Sequence, residues 1–416
     1  MVPPILRSCL AALTRRKLSR GLLIGIVAAA VAWGSALPAA VASGAKGEGG
    51  FVGNAPTEIL IEASTGAVLF EKKADELRPP ASMMKLMTVE VVFHAIKQGK
   101  LKLTDEYPIS EYAWRHGGAP SGTSTMFASI HSNVSVGDLL LGAIVDSGND
   151  ACIALAEGMA GSEQAFVSDF MTKRARELGL TKSTFANSNG LPDPNNEMTV
   201  RELAMLARHI ILTYPDLYKL FSEKAFTWNK IRQQNRNPLL NAMDGADGLK
   251  TGYTKEGGYG LVGSVVQNGI RLIVAVNGLK TKKERADEAR KLLEWGFHNF
   301  AMRPLFAARE PLCYATVFGG TSRSVEVASP EPIEVMVQTS GDNQLKARVV
   351  YTGPVRAPIA TGQRIGVVRV WRGDNLAVEA PIYAAEPIGV GSTMQRAFDG
   401  VIALALRMIR AGIQKL

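Results

Sequence analysis

The 416-residue sequence predicts an α+β protein in which helices accompany an antiparallel sheet and a small all-β region follows. Three observations carry this. Asn268-Gly269 joins two β-branched runs, Tyr259 to Val266 and Ile270 to Val276, which is a strong hairpin signal. The stretch from Ser82 to Ile96 is rich in Met, Leu, Val and Phe and reads as a largely buried helix that opens at Ser82, after Pro79-Pro80. Composition then changes near Pro304. Before it lies the helical pattern Lys283 to Phe297; after it come short β-branched runs at Tyr314 to Phe318, Ser324 to Ala328, Ile333 to Thr339, Ala347 to Thr352, Ile365 to Trp371 and Leu376 to Ile382. Turns such as Gly341-Asp342-Asn343 and Arg372-Gly373-Asp374-Asn375 separate them.

Three short motifs follow one another in the first region: Ser82-Met83-Met84-Lys85, Ser147-Gly148-Asn149 and Lys250-Thr251-Gly252. A serine hydroxyl is a poor nucleophile at neutral pH and needs a positioned base. Lys85 lies one helical turn beyond Ser82, so both side chains leave the same face. A helix start also supplies free N-H groups and a positive dipole end for a developing oxyanion. Ser147-Gly148-Asn149 falls between the apolar run Leu139 to Val145 and the Ala-rich run Ala151 to Ala160, on a connection between helices. Lys250-Thr251-Gly252-Tyr253 precedes the hairpin and so lies on or beside the sheet. Alone, each motif is weak: a Ser-x-x-Lys arises by chance roughly once or twice in such a chain and more often marks an exposed helix start. A Lys-Thr-Gly is expected in about one chain in ten. The ordered conjunction is what points to acyl transfer without histidine.

The five histidines, His94, His116, His131, His209 and His298, form no H-E-x-x-H, no paired Cys/His spacing and no G-x-S-x-G context, and read as surface or packing residues. Neither a metal nor a cofactor is expected.

With these motifs the chain resembles the low-molecular-mass penicillin-binding proteins of the D-alanyl-D-alanine carboxypeptidase family, relatives of the serine β-lactamases, from about Ala55 to the C-terminus. Ile61 to Phe70, Asp146 to Cys152, Phe226 to Leu240 with Asn235-Arg236-Asn237, and Asp247-Gly248-Leu249 extend the likeness. The resemblance implies a catalytic fold with a five-stranded antiparallel sheet flanked by helices. It implies a catalytic set of Ser82, Lys85, Ser147, Asn149 and Lys250, and substrate contacts from Lys250, Thr251, Gly252, Tyr253 and Arg236. Ser82 would attack the penultimate D-alanine carbonyl with neutral Lys85 as base. Ser147, biased by Lys250, would relay a proton to the leaving amine, and Asn149 would hold Lys85 or the substrate amide. Thr251 and Arg236 would grip the terminal carboxylate, and the N-H groups of Ser82 and Tyr253 would form the oxyanion hole. Two positions depart from the pattern: Gly148 where many β-lactamases carry Asp, and Tyr253 where relatives vary. Arg236, in a polar stretch, reads by itself as a solvated loop residue. The loop Gly117 to Phe127 is either a lid or a surface connection.

The expected activity is serine-type D-Ala-D-Ala carboxypeptidase action on peptidoglycan stem pentapeptides, with β-lactams as covalent inhibitors. A β-lactamase, a crosslink-cutting endopeptidase and a catalytically idle scaffold are the alternatives. No Glu in an evident water-activating loop disfavours the first.

The termini suggest location. Residues 1–20 hold Arg7, Arg15, Arg16, Lys17 and Arg20 without an acid, Gly21 to Trp33 is apolar, and Ala40-Val41-Ala42 fits signal cleavage before Ser43. An uncleaved anchor is the alternative, and Arg15-Arg16 gives a weak twin-arginine signal. From Met394, Phe398, Val401, Ile402, Ala405, Ile409, Ile413 and Leu416 recur at helical spacing opposite Arg396, Asp399, Arg407, Arg410 and Gln414: a basic amphipathic helix, suited to a membrane surface or to docking on its own domain, and too charged to span a bilayer. The expected division is 1–42 export signal, 43–54 linker, 55–302 catalytic domain, 303–388 β domain and 389–416 anchor. The location implied is the periplasm, attached peripherally to the outer face of the inner membrane. Of the net charge of +9, residues 1–42 carry five positive charges and the segment from Ser392 a net three, which leaves about one for the bulk and argues against nucleic acid. Cys9 falls in the signal, and Cys152 and Cys313 read as packing residues without a bridge.

Overall fold

The computed structural model describes residues 6–9, 50–340 and 343–401. The expected cleavage site, the apolar signal core and the anchor helix beyond 401 lie outside the described residues. The chain divides into two compact units that meet in sequence at Asn299/Phe300.

In the first unit five antiparallel strands run in the order Val68–Lys72, Thr57–Glu62, Ile270–Leu279, Gly258–Gln267, Ala246–Thr254. Asn268 (φ 50°) and Gly269 (φ 78°) make the tight turn of the hairpin, with the positive φ pair that matches strand twist. The helices Val200–Thr213 and Lys282–Asn299 lie against the central Ile270–Leu279 strand. The edge strand Ala246–Thr254 packs on the turn that carries Ser82.

The helix expected from Ser82 begins later. Ala81–Met84 forms a 3-10 turn and the α-helix runs Lys85–Lys97. Ala81, the first residue of that turn, has φ 50°, in the left-handed region, so the chain enters the turn from a conformation outside the regular helix. Met83, Met84, Leu86, Met87, Val92 and Phe93 are fully buried. At about 1.5–3 kcal/mol for each large apolar side chain, this burial holds the turn that carries Ser82 in place more firmly than its uncapped N-terminus could. A second anchor is Glu90, fully buried and paired with Arg174 at 3.0 Å and the Tyr214 hydroxyl at 2.9 Å.

The second unit holds all six β-branched runs as strands: Pro311–Phe318, Ser324–Ala328, Ile333–Gln338, Leu345–Thr352, Arg364–Arg372 and Asn375–Ala384. A further strand, Phe300–Phe306, pairs with Ile333–Gln338; Pro304 hid it from pattern reading, and a register shift falls beside that proline. Val325, Val327, Val349, Val368, Val370 and Ile382 form the core. Leu6–Cys9 adds an antiparallel edge strand to Leu345–Thr352. Cys152 and Cys313 carry no disulfide. Among the described residues no helix is long and apolar enough to cross a membrane.

Candidate active site

Lys85, wholly buried at the first turn of its helix, donates from Nζ to Ser82 Oγ at 2.8 Å, Asn149 Oδ1 at 2.7 Å and the Asn189 carbonyl at 2.6 Å. An ammonium would use three N-H donors here. A neutral amine donates two and turns its lone pair to the hydroxyl, so this set of partners suits the base form if the bond to Ser82 reverses. Burial pushes Lys85 down to about 8, with Arg236 adding to the effect and Asp150 and Glu163 opposing it. The Cys152 thiol, pushed up to about 11 by burial, stays neutral at physiological pH.

The second motif is placed by an irregular turn. The chain leaves the helical segment Gly142–Asp146, Ser147 takes φ 61°, and Asn149 opens the helix Asn149–Ala160. This left-handed serine is the kind of backbone strain that clusters at functional sites. Ser147 Oγ is buried and has no protein hydrogen-bond partner. Gly148 is explained by space: a Cβ there would come within 2.9 Å of the Met126 backbone nitrogen. Asn149 Nδ2 donates to Thr123 Oγ1 at 2.8 Å and its backbone N-H to the Ser124 carbonyl at 2.8 Å. The loop Gly117 to Phe127 is therefore bonded to the second motif and forms a wall of the site.

Lys250 and Thr251, both buried, lie on the edge strand Ala246–Thr254. Burial, then the charges of Lys85 and Arg236, lower Lys250 well below the ordinary lysine range. Gly252 permits the close approach of this strand to the turn that carries Ser82, since a Cβ would fall 2.8 Å from the Pro80 carbonyl oxygen. Tyr253 is 55% exposed and stacks on Tyr259, with ring centroids 4.1 Å apart. Arg236 donates from Nη1 to Ser124 Oγ at 2.5 Å. A cleft of about 480 Å³ brings Ser82, Ser147, Arg236, Thr251, Gly252 and Tyr253 together.

Sequence reasoning missed five residues of the site. Asn189 acts through its main-chain carbonyl, which no residue type signals. Thr123 and Ser124 sit in the loop Gly117 to Phe127, which the sequence leaves open between a lid and a surface connection and in which no single residue stands out. Asp146 is 1% exposed with neither carboxylate oxygen hydrogen-bonded, and burial pushes it up to about 7 against the pull of Arg236 and Lys250. Arg285 also lines the cleft, from the first turn of the helix Lys282–Asn299. It is 8% exposed, its Nε has no partner, it lies 5.8 Å from the Tyr259 ring centroid, and burial lowers it to about 10.

Residues 52–281 match the family model described as D-alanyl-D-alanine carboxypeptidase. The chain belongs to the D-alanyl-D-alanine carboxypeptidase family. Residues 300–389 match the C-terminal domain of penicillin-binding protein 5. The carboxypeptidase DacC of Escherichia coli is 39% identical over 347 residues, covering 83% of this chain and 86% of the relative. The solved penicillin-binding protein 5 of Haemophilus influenzae superposes with a TM-score of 0.72 at 37% identity, over 81% of this chain and 98% of that one. Penicillin-binding protein D2 of Listeria monocytogenes, solved in its ampicillin-bound form, gives a TM-score of 0.52 at 28% identity over 60% of this chain and all of that one. This carboxypeptidase is thus a serine hydrolase of the penicillin-binding class.

Proposed function

We propose that this carboxypeptidase removes the terminal D-alanine of peptidoglycan stem pentapeptides through an acyl-enzyme on Ser82. The observation that carries the assignment of residues is the 2.8 Å contact between Ser82 Oγ and the fully buried Lys85 Nζ. Neutral Lys85 takes the hydroxyl proton as Oγ attacks the penultimate D-alanine carbonyl. The N-H groups of Ser82 and Tyr253 receive the oxyanion. Ser147, whose Oγ is open to a new partner, relays to the leaving amine the proton that Lys85 took up, which returns Lys85 to its neutral form, with buried Lys250 biasing the ionisation of Ser147. Asn149 steadies Lys85. Thr251 and Arg236 grip the terminal carboxylate, and Arg285 adds further positive charge in the same cleft. Water then cleaves the ester. β-Lactams enter the same chemistry and stop at the ester, so peptide mapping after benzylpenicillin treatment is expected to place the adduct on Ser82. An adduct on another residue sinks the assignment.

The domain division, export and attachment belong to the same proposal: signal 1–42, linker 43–54, catalytic domain 55–302, β domain 303–388, anchor 389–416, in the periplasm at the outer face of the inner membrane. Signal cleavage after Ala42 would also remove the Leu6–Cys9 strand and bare the Leu345–Thr352 edge. Attachment is supported by Met394, Phe398 and Val401, which are 83%, 53% and 68% exposed and spaced to share one helical face. Protein carrying this segment is expected to float with anionic vesicles, and protein ending at Ile388 to remain behind. Equal flotation of both overturns the attachment.

A further inference from the structure

Two of the three acceptors around Lys85 Nζ come from motif residues; the third is the Asn189 carbonyl, from a segment between helices. One carboxylate holds that segment. Glu163 Oε1 accepts from the Ser188 backbone N-H at 2.9 Å, Ser188 Oγ at 2.6 Å and Asn189 Nδ2 at 3.3 Å, while Oε2 accepts from the Tyr112 hydroxyl at 3.2 Å. The Ser188 carbonyl in turn accepts from Thr88 Oγ1 at 2.5 Å, on the same helix as Lys85. Residues 188 and 189 are thereby clamped between Glu163 on one side and the nucleophile helix on the other. Removing the carboxylate frees the three donors of this segment and the Tyr112 hydroxyl at once.

We propose that Glu163 is a positioning residue for the reaction: by fixing the Ser188-Asn189 backbone it aims the Asn189 carbonyl at Lys85 Nζ and so orients the amine toward Ser82. This rests on the reading of Lys85 as the base. Its negative charge also acts on Lys85 directly. The groups that surround the amine are Cys152 and Asp150 on the Asn149–Ala160 helix, Arg236, Lys250 and Glu163. Cys152 is uncharged, Arg236 and Lys250 disfavour the protonated amine, and Asp150 and Glu163 favour it. Around Glu163 itself stand Tyr112 and Glu157.

Two consequences of Glu163→Gln therefore separate positioning from simple loosening. The amide cannot accept strongly from three donors, so the plateau rate of acylation by benzylpenicillin falls by about three- to thirtyfold. With one negative charge gone, the midpoint of the rise in that rate between pH 6 and 10 moves to lower pH. A segment that merely loosened would admit water to Lys85, relieve its desolvation and move the midpoint to higher pH. Ser188→Ala keeps the charge and loses one bond, and is expected to lower the plateau without moving the midpoint. The test is the second-order acylation rate across that pH range for the full-length wild type and both variants. A midpoint in Glu163→Gln that stays or rises, or a wild-type plateau, overturns the proposal. Should Glu163→Gln fail to fold, Ser188→Ala decides: a wild-type plateau overturns it. Failure of the underlying reading is distinguishable, because Lys85→Arg would then retain acylation.

Discussion

Replacing Ser82 by alanine is expected to lower D-alanine release by at least about 10⁴-fold while leaving the fold intact. The change deletes one oxygen from a side chain at the edge of the cleft, and Met83, Met84, Leu86 and Met87, which hold the turn, stay buried. Circular dichroism and the thermal midpoint should therefore match the wild type. The carboxylate grip proposed for Arg236 and Thr251 is untouched, so stem peptide should still bind. Loss of turnover with retained binding identifies the nucleophile. Retained turnover in a folded variant would mean that another group attacks the carbonyl, and the 2.8 Å contact with Lys85 would have no catalytic meaning.

The second large effect is expected at Lys85. Arginine keeps a positive charge and cannot give up its proton in a protein, so Lys85→Arg separates the need for a base from the need for a cation. Acylation by benzylpenicillin should fall by about 10²–10⁴-fold. The wild type supplies the complementary pH dependence. Burial holds Lys85 at about 8, so the amine is mostly protonated at pH 7 and mostly neutral at pH 9. A base works in its neutral form, hence the acylation rate should climb through pH 8 and then level. A rate that falls over this interval contradicts Lys85 as base, as does a Lys85→Arg protein that acylates at the wild-type rate.

What the sequence reveals of this molecule depends on whether the physical cause is local. Ser82 and Lys85 are three residues apart, so helical pitch alone brings them together, even though the turn between them is 3-10 rather than α. The Asn268-Gly269 hairpin and six of the strands from Pro311 onward are legible because turn residues and β-branching act within a few residues. Asn149 meets Lys85 across 64 positions, which only the likeness to a known motif set could suggest. The Asn189 carbonyl is beyond sequence pattern reading altogether, since every residue carries one. Asp146 and Arg285 look like ordinary charged residues until their burial is known. The strand Phe300–Phe306 was concealed by its own proline, tolerated here in a two-stranded pairing with Ile333–Gln338.

Taken together, the buried lysine pair, the open Ser147 hydroxyl and the arginine-lined cleft describe a site made to hold a peptide end and attack the bond one residue inside it. The most direct test is to follow D-alanine release from a purified stem pentapeptide by the wild-type enzyme, with the peptide products weighed by mass spectrometry. One free D-alanine for each tetrapeptide formed is the predicted result. An intact pentapeptide, or cleavage at any other bond, contradicts the account.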